Sequence, residues 1–467
     1  MNSIKHEPES DKIRHSLTML WTAIALISLT VMPSYAGAKT KAKSETPAVV
    51  TTSIVQPTIN GPLSIADAVQ LTQKNNPMIL AAGDQVSAAR SMIEMARAMS
   101  RPQLSATAFV GTSTMGDIIA SPSNVMPSSL FTIPNKGSVT GQASLMLPIY
   151  TGGRLAGVIR GARALTAAAA SDSASIERNA VLETKTAYHR TLLAQSVIDV
   201  YNNLVTEQKE RVRIAEAAYK EGKIAKYDLL RNQTGLAEAE QQLTNAERDA
   251  QVALVDLKTL MGVNPESNIT LSDKLVYSQV PGTSDSYLAT ALNNRPEIAA
   301  VKGRIESASA GVDVAKSVFK PQVYGNAMGG LSTTSDGTDS GLTVGIVVGL
   351  PILDGGLRRS AVKEAESMRD AMKRDEQQAV LAVQQDVNTV WAELQAADRN
   401  VQLSEAAVTQ AEEDYRVIRL RYESGKSINV EVLDSLASLV RAQNNRIMSL
   451  YEHNVARDRL ARAIGEL

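Results

Sequence analysis

Leu147-Pro148-Ile149-Tyr150-Thr151-Gly152-Gly153 is written a second time, with two changes, as Leu350-Pro351-Ile352-Leu353-Asp354-Gly355-Gly356. The copies lie 203 residues apart, and the same spacing relates Tyr219 to Tyr422, Gly222-Lys223 to Gly425-Lys426, Leu230 to Leu433, Leu257 to Leu460 and Gly262 to Gly465. Upstream the spacing is 219: Asn75-Asn76-Pro77 returns as Asn294-Arg295-Pro296, and Arg101-Pro102-Gln103 as Lys320-Pro321-Gln322. An offset that holds over such lengths marks a duplicated unit. The first copy is 16 residues longer, with the excess between Pro102 and Pro148. Two repeats are expected, 63–262 and 285–467, joined by a linker at 263–284 that carries Pro265, Pro281 and Gly282.

Working outward, each Gly-Gly pair is followed by a Pro-free helical stretch, 154–219 and 357–422. At 1.5 Å per residue such a helix is roughly 100 Å long, a length that belongs to coiled coils. Val380, Val383, Val387, Val390, Leu394, Ala397 and Val401 step in threes and fours, the spacing of an interlocking seam. The same frame in the first copy holds the smaller Ala180, Thr184, Ala187, Thr191, Ala194 and Ile198. Each long helix ends at Tyr-x-x-Gly, where Gly can turn left-handed, and a return helix follows at 228–261 and 430–464. The opening stretches, 63–99 and 285–318, also have helical spacing and stop at the Pro-Gln pairs.

Between those stretches and the Gly-Gly pairs the period changes to two. Leu104, Ala106, Ala108 and Val110 alternate with Ser105, Thr107, Phe109 and Gly111, and Leu342-Thr343-Val344-Gly345-Ile346 alternates likewise. Hairpins are expected at about 103–148 and 322–351, the second with a Gly-, Ser-, Thr- and Asp-rich loop at 329–340. The fold class is thus mainly α with a small β part: long antiparallel coiled-coil helices and four strands per chain. Four strands cannot close a barrel. In lipid their free edges would leave backbone groups unpaired, so strands of this kind require completion by other chains.

Composition agrees. Among 467 residues only 4% are aromatic, while 44% are apolar, as suits helices packed through small side chains. Lys plus Arg (48) balances Asp plus Glu (49), so no net field recruits nucleic acid. Residues 1–36 read as an export signal, with Lys5, Lys12 and Arg14 before an apolar run from Leu17 to Met32 and cleavage after Ala36 or Ala38; 37–62 reads as a flexible leader. The chain has no Cys, which excludes disulfides, thiolate metal sites and a lipid-modified Cys. His189 and His453 stand singly on helices and read as surface or interface residues. No catalytic constellation, metal site or cofactor is expected, and the chain is not expected to be an enzyme.

The paired Leu-Pro-Ile-x-x-Gly-Gly segments, the paired Tyr-x-x-Gly-Lys turns and the following Asp228-Leu229-Leu230 and Glu431-Val432-Leu433-Asp434 resemble the TolC family of outer-membrane efflux proteins, over about 60–466. The resemblance implies a homotrimer whose strands form a 12-stranded β-barrel, continued by an α-helical tunnel across the periplasm. It implies a passive exit duct of a tripartite efflux pump or type I secretion system, working with a periplasmic adaptor (membrane fusion protein) and an inner-membrane transporter. Carried over by position, a constriction at the periplasmic end would involve Asp228, Tyr422, Glu431 and Asp434. Glu431 and Asp434 share a helix face, and threefold symmetry would make each a ring that attracts cations, although acids in a first helical turn also favour the helix dipole. Where some family members have Arg this chain has Ser427, leaving Lys223, Lys226 or Lys426 as gate cations, none of them bidentate as Arg is. The turns Glu221-Gly222-Lys223 and Ser424-Gly425-Lys426 would be the tips where the adaptor docks. The clearest asymmetries between the repeats are Asp228 against Glu431 and Arg231 against Asp434. A periplasmic adaptor and a structural coiled-coil protein are the rival readings; an adaptor typically carries one helical hairpin, and this chain has two.

Overall fold

Proline places the first boundaries. Ser64 caps helix α1 (Ile65–Asn75), its hydroxyl accepting the Asp67 N–H while the Asp67 carboxylate reaches back to the Ser64 N–H. Pro77 drives Asn76 out of the helical region (φ −66°, ψ 122°), so α1 stops, and Asn76 then caps α2 (Pro77–Ala98) by accepting the Met78 N–H at 2.8 Å. The second repeat breaks at the equivalent Arg295-Pro296, without a side-chain cap, giving α5 (Ser284–Asn294) and α6 (Pro296–Ser317). Each opening stretch of helical spacing is therefore built as two helices.

The computed structural model describes residues 56–111, 118–120, 131–133, 138–334 and 337–467. The export signal at 1–36, the leader up to residue 55 and most of the outer loop of the first hairpin lie outside them. The long helices are α3 (Arg154–Lys220) and α7 (Leu357–Glu423), of 67 residues each, and the return helices are α4 (Lys226–Leu260) and α8 (Asn429–Ile464). Six of the seven seam positions, from Val383 to Val401, are buried; Val390, Leu394 and Ala397 close on Ala456, Leu460 and Ile464 of α8. In the first repeat Tyr188 and Leu192 pack with Leu257 and Met261.

The strands β2 (Gln103–Gly111), β5 (Ser138–Tyr150), β7 (Gln322–Thr334) and β8 (Gly337–Gly349) form one antiparallel sheet in that order. The two hairpins share one register, Gln103 opposite Met146 and Gln322 opposite Gly349, each pair consistent with the offsets of 219 and 203. Thr334 and Gly337 are still paired, so the glycine-rich stretch 329–340 is mostly strand rather than loop. Small residues are needed there: a Cβ on Gly330 would lie 2.9 Å from the Gly141 carbonyl oxygen. The extra length of the first hairpin holds a short pairing of β3 (Ile118–Ala120) with β4 (Phe131–Ile133).

Two further corrections concern the leader and the linker. Residues 61–63 and 269–271 pair in parallel as β1 (Gly61–Leu63) and β6 (Ile269–Leu271), with Leu63, Val263 and Ile269 in the core beside Tyr188. The end of the leader and the linker thus stitch the first repeat shut. Both helical histidines are buried: His189 Nε2 lies 2.9 Å from Asp458, and His453 Nδ1 lies 3.0 Å from Asp398 with Nε2 3.0 Å from the Ser278 carbonyl. The residue before each proline is also an anchor. Asn76 donates to the Leu260 carbonyl at 2.8 Å, and Arg295, in the equivalent place, donates to the Ala463 carbonyl at 2.5 Å and pairs with Asp386.

Burial holds the His453 imidazole below its ordinary pKa, although Asp398 opposes this. The unfolded value is about 6.5, so the stability due to a neutral His453 is complete above that pH and is lost as the pH falls below it. Thermal unfolding should therefore shift to lower temperature between about pH 7 and pH 5, and His453→Gln should flatten that dependence.

Candidate functional site

Both long helices end in the same turn. At the end of α3 the Gly222 N–H reaches the Tyr219 carbonyl and the Lys223 N–H the Ala218 carbonyl, each at 2.9 Å; after α7, Gly425 reaches Tyr422 at 2.9 Å and Lys426 reaches Arg421 at 2.8 Å. These crossed bonds satisfy the last helical carbonyls. They require a left-handed residue, and both glycines stand at φ +69°. Glu221, Gly222, Lys223, Ser424, Gly425 and Lys426 are all exposed. Lys223 lies 2.6 Å from Glu221 and holds that carboxyl below its usual range. The two hairpins are tied together close to these turns, since Arg211 of α3 donates to Asn429 Oδ1 at 2.9 Å and Tyr415 of α7 donates to Glu207 of α3. Burial and the Glu207 carboxylate push the Tyr415 phenol up to about 12, which keeps it a donor.

The four residues carried over as a constriction occupy separate settings within the chain. Asp228 is half-buried in the first turn of α4, where the helix dipole favours it. Tyr422 is half-buried at the end of α7. Glu431 is exposed and accepts the Ser427 hydroxyl, so the residue that stands in place of a family Arg is used locally. Asp434 is exposed one turn further along α8. Among the described residues no hydrogen bond or ion pair links any two of the four, and none engages the Lys226 or Lys426 ammonium.

Asp434 instead joins a groove of about 810 Å³ between α4 and α8, floored by Tyr201, Leu204 and Gln208 of α3. Repeat-equivalent residues line its two sides: Leu230 and Leu433, Arg231 and Asp434, Glu238 and Arg441. The charges are exchanged between the repeats, so each side is complementary to the other. Arg231 is at present turned to its own helix, donating to the Tyr227 hydroxyl at 2.7 Å with its guanidinium 6.0 Å from that ring centre. Sequence reasoning had marked Arg231 and Asp434 and had missed Glu238 and Arg441, although the offset of 203 relates that pair too. Such a groove can attract, repel or draw its walls together. Among the described residues no group of three His, Asp or Glu side chains is placed to hold a metal ion.

Solved structures share this architecture. The Campylobacter jejuni CmeC outer membrane channel superposes with TM-score 0.71 at 18% identity, covering 86% of this chain and 85% of that one. A membrane protein from Pseudomonas aeruginosa superposes with TM-score 0.71 at 19% identity, covering 91% and 99%. The fold class is therefore that of the channel protomers, paired helical hairpins carrying a four-stranded sheet. The outer membrane efflux protein family model matches residues 68–263 and 287–466, one match on each repeat, and the chain belongs to that family. A curated relative, the pyoverdine export outer membrane protein OpmQ of Pseudomonas putida, is 26% identical over 270 residues, 54% of this chain and 57% of that protein. The chain spans just over half of that relative's length.

Gly222→Ala and Gly425→Ala should each cost about 1–2 kcal/mol, the penalty of a Cβ in the left-handed region. Since open space surrounds both positions, the loss should be local: amide exchange should quicken in the last turns of α3 and α7 and stay unchanged at Leu257 and Leu394.

Proposed function

We propose that this chain is the outer-membrane exit duct of a tripartite efflux pump or type I secretion system: a homotrimer that pools twelve strands into one barrel and continues as a helical tunnel into the periplasm. One observation carries the reading. The sheet has one apolar face, with Leu104, Leu342, Val344, Ile346 and Val348 each 65–77% exposed, and one polar face that carries Ser105, Thr107, Gln142, Asn326 and Thr343. Its outer strands β2 and β8 have no further partner among the described residues. A sheet with lipid on one side and water on the other must close on itself, and four strands are too few to do so. Each hairpin of the sheet leads into a 67-residue helix, about 100 Å long and so long enough to reach well beyond a bilayer of about 30 Å.

In this reading the tips at Glu221-Gly222-Lys223 and Ser424-Gly425-Lys426 receive a periplasmic adaptor, which links the duct to an inner-membrane transporter as its source of energy. Asp434, Glu431 and Asp228, with Tyr422 nearby, supply the constriction, where three copies of an exposed carboxylate would favour cations. The duct itself is passive and the chain is a conduit rather than a catalyst. A periplasmic adaptor is disfavoured because both helical hairpins are built on the same sheet.

Detergent extraction of outer membranes should give a stable trimer that conducts in planar bilayers, and recovery as a soluble or inner-membrane protein would exclude the duct. Asp434→Asn should lower cation selectivity and Tyr422→Phe should change conductance; the constriction is wrongly assigned when neither variant does either. Cys introduced at Lys223 and at Lys426 should crosslink to the adaptor, with no native thiol to compete.

A further inference from the structure

At the foot of the sheet the two repeats share a plan but not its side chains. On the polar face a cavity of about 650 Å³ opens where β7 and β8 meet the first turn of α7, a size within the range of small-molecule sites, roughly 300–1,000 Å³. Its sheet wall is Met146, Gln322, Tyr324, Asn326 and Val347, which share the face of Gln142 and Thr343. The remaining wall includes Leu350, between β8 and α7, and Leu357 and Arg358 in the first turn of α7.

The cavity combines uncovered apolar surface with fixed charge. Val347, Leu350 and Leu357 are 47%, 51% and 73% exposed, and apolar area left in water is a cost that a bound apolar group removes. Arg358 is held in place: its Nε lies 2.6 Å from Asp354, its Nη1 donates to the Pro351 carbonyl at 2.6 Å, and its guanidinium stands 5.1 Å from the Phe319 ring centre. Its Nη2 has no partner among the described residues. Arg154 of α3 brings a second cation, donating to the Tyr324 hydroxyl at 3.0 Å, and that hydroxyl donates to Gln322 at 2.8 Å. Two guanidiniums against the single carboxylate of Asp354 leave this cluster net positive. The offsets of 219 and 203 place Ser105, Thr107, Ser144, Thr151 and Leu155 where Tyr324, Asn326, Val347, Asp354 and Arg358 stand. The first repeat builds the same hairpin and the same helix start on those plainer residues, so the fold itself does not call for the ring, the amide or the ion pair.

Resting on the duct reading above, in which the polar face looks into the lumen, we infer that this cavity is a binding site for cargo in transit, and that the cargo it takes is a small aromatic anion, a carboxylate or sulfonate. The apolar body covers Val347, Leu350 and Leu357, Tyr324 offers a ring edge or face to it, and the anionic group meets the free Nη2 of Arg358, whose fork suits a planar or tetrahedral oxyanion. A metal cation would meet net positive charge here, and a folded polypeptide is too large to enter. The site stands where the barrel gives way to the tunnel, beyond the constriction at the opposite end of the long helices.

Naphthalene-1-sulfonate tests the site. In equilibrium dialysis the detergent-extracted protein should bind one sulfonate per chain, and naphthalen-1-ylmethylammonium, the same ring with the opposite charge, should bind about tenfold more weakly. Tyr324→Ser with Asp354→Thr and Arg358→Leu installs the residues of the first repeat and should weaken sulfonate binding by about tenfold; Val347→Ser alone, a milder change for which the first repeat again supplies the residue, should weaken it in the same direction. In planar bilayers the sulfonate should reduce the current of the parent channel. Equal binding of sulfonate and ammonium, or equal sulfonate binding by the parent and both variants, overturns the site and leaves the duct standing. So does a protein that conducts and binds no sulfonate, in which a neighbouring copy fills the cavity. A protein that binds the sulfonate through these residues and does not conduct keeps the site and overturns the duct, and one that does neither overturns both.

Discussion

Strand edges govern this protein. The backbone N–H and C=O groups along β2 and β8 need partners, and nothing on those strands is arranged to do without them. Soluble proteins blunt an exposed edge with charge, proline or a bulge. Here β8 runs thirteen residues with one charged side chain, Asp339, and its apolar face is bare. Among the described residues the sheet's register shift lies on β5, between Pro148 and Tyr150 at the junction of the repeats, and not on an outer strand. An edge left so clean in a chain with an apolar face invites continuation by further strands.

The helical part answers a different demand, which is to hold 67-residue helices in one register. Apolar seams alone permit sliding, because one small side chain replaces another at each turn. Polar anchors remove that freedom. Asn76 and Arg295 each bind the final carbonyls of the return helix of their own repeat, and Arg462 reaches Glu297 at 2.7 Å and Asn179 at 2.8 Å, so the end of α8 is fixed to both repeats. Gly262 and Gly465 let those return helices close on Asn75 and Asn294: a Cβ would lie 2.6 Å and 2.9 Å from their carbonyl oxygens. Buried His189 with Asp458, and His453 with Asp398, cross between helices in the same region. A buried polar group left without its partner is costly, so these contacts resist any slip that would separate them.

Much of this was legible because repetition and glycine are local signals. The Gly-Gly pairs, the Tyr-x-x-Gly turns and the 3-4 spacing of Val383 to Val401 gave the long helices to within a residue or two of their ends. Contacts between distant segments were less legible. The β1–β6 ribbon joins residues 208 apart with three residues on each side, too few for a periodic signal, and the burial of His453 depends on the linker chain at Ser278. Likewise Thr333 and Thr338 face each other in strands whose composition resembles a loop, because close sheet packing and flexible turns both favour glycine and hydroxyl side chains. For the candidate site, sequence position located the turns after α3 and α7 but could not show that Glu431 spends its carboxylate on Ser427 while Asp434 enters a groove.

That groove shows how a duplicated chain can make a joint that is weak by construction. Identical copies would bring like charges together along α4 and α8. Exchange of sign at two positions, Arg231 against Asp434 and Glu238 against Arg441, makes the walls complementary in charge. Among the described residues neither couple is bonded across the groove, and an exposed ion pair there would contribute only about 0–1 kcal/mol, far less than the burial of a single leucine at about 1.5–3 kcal/mol. The opposite ends of the same helices are fixed by buried anchors such as Asn76 and Arg295, and near the turns the hairpins are tied by Arg211 to Asn429 and by Tyr415 to Glu207.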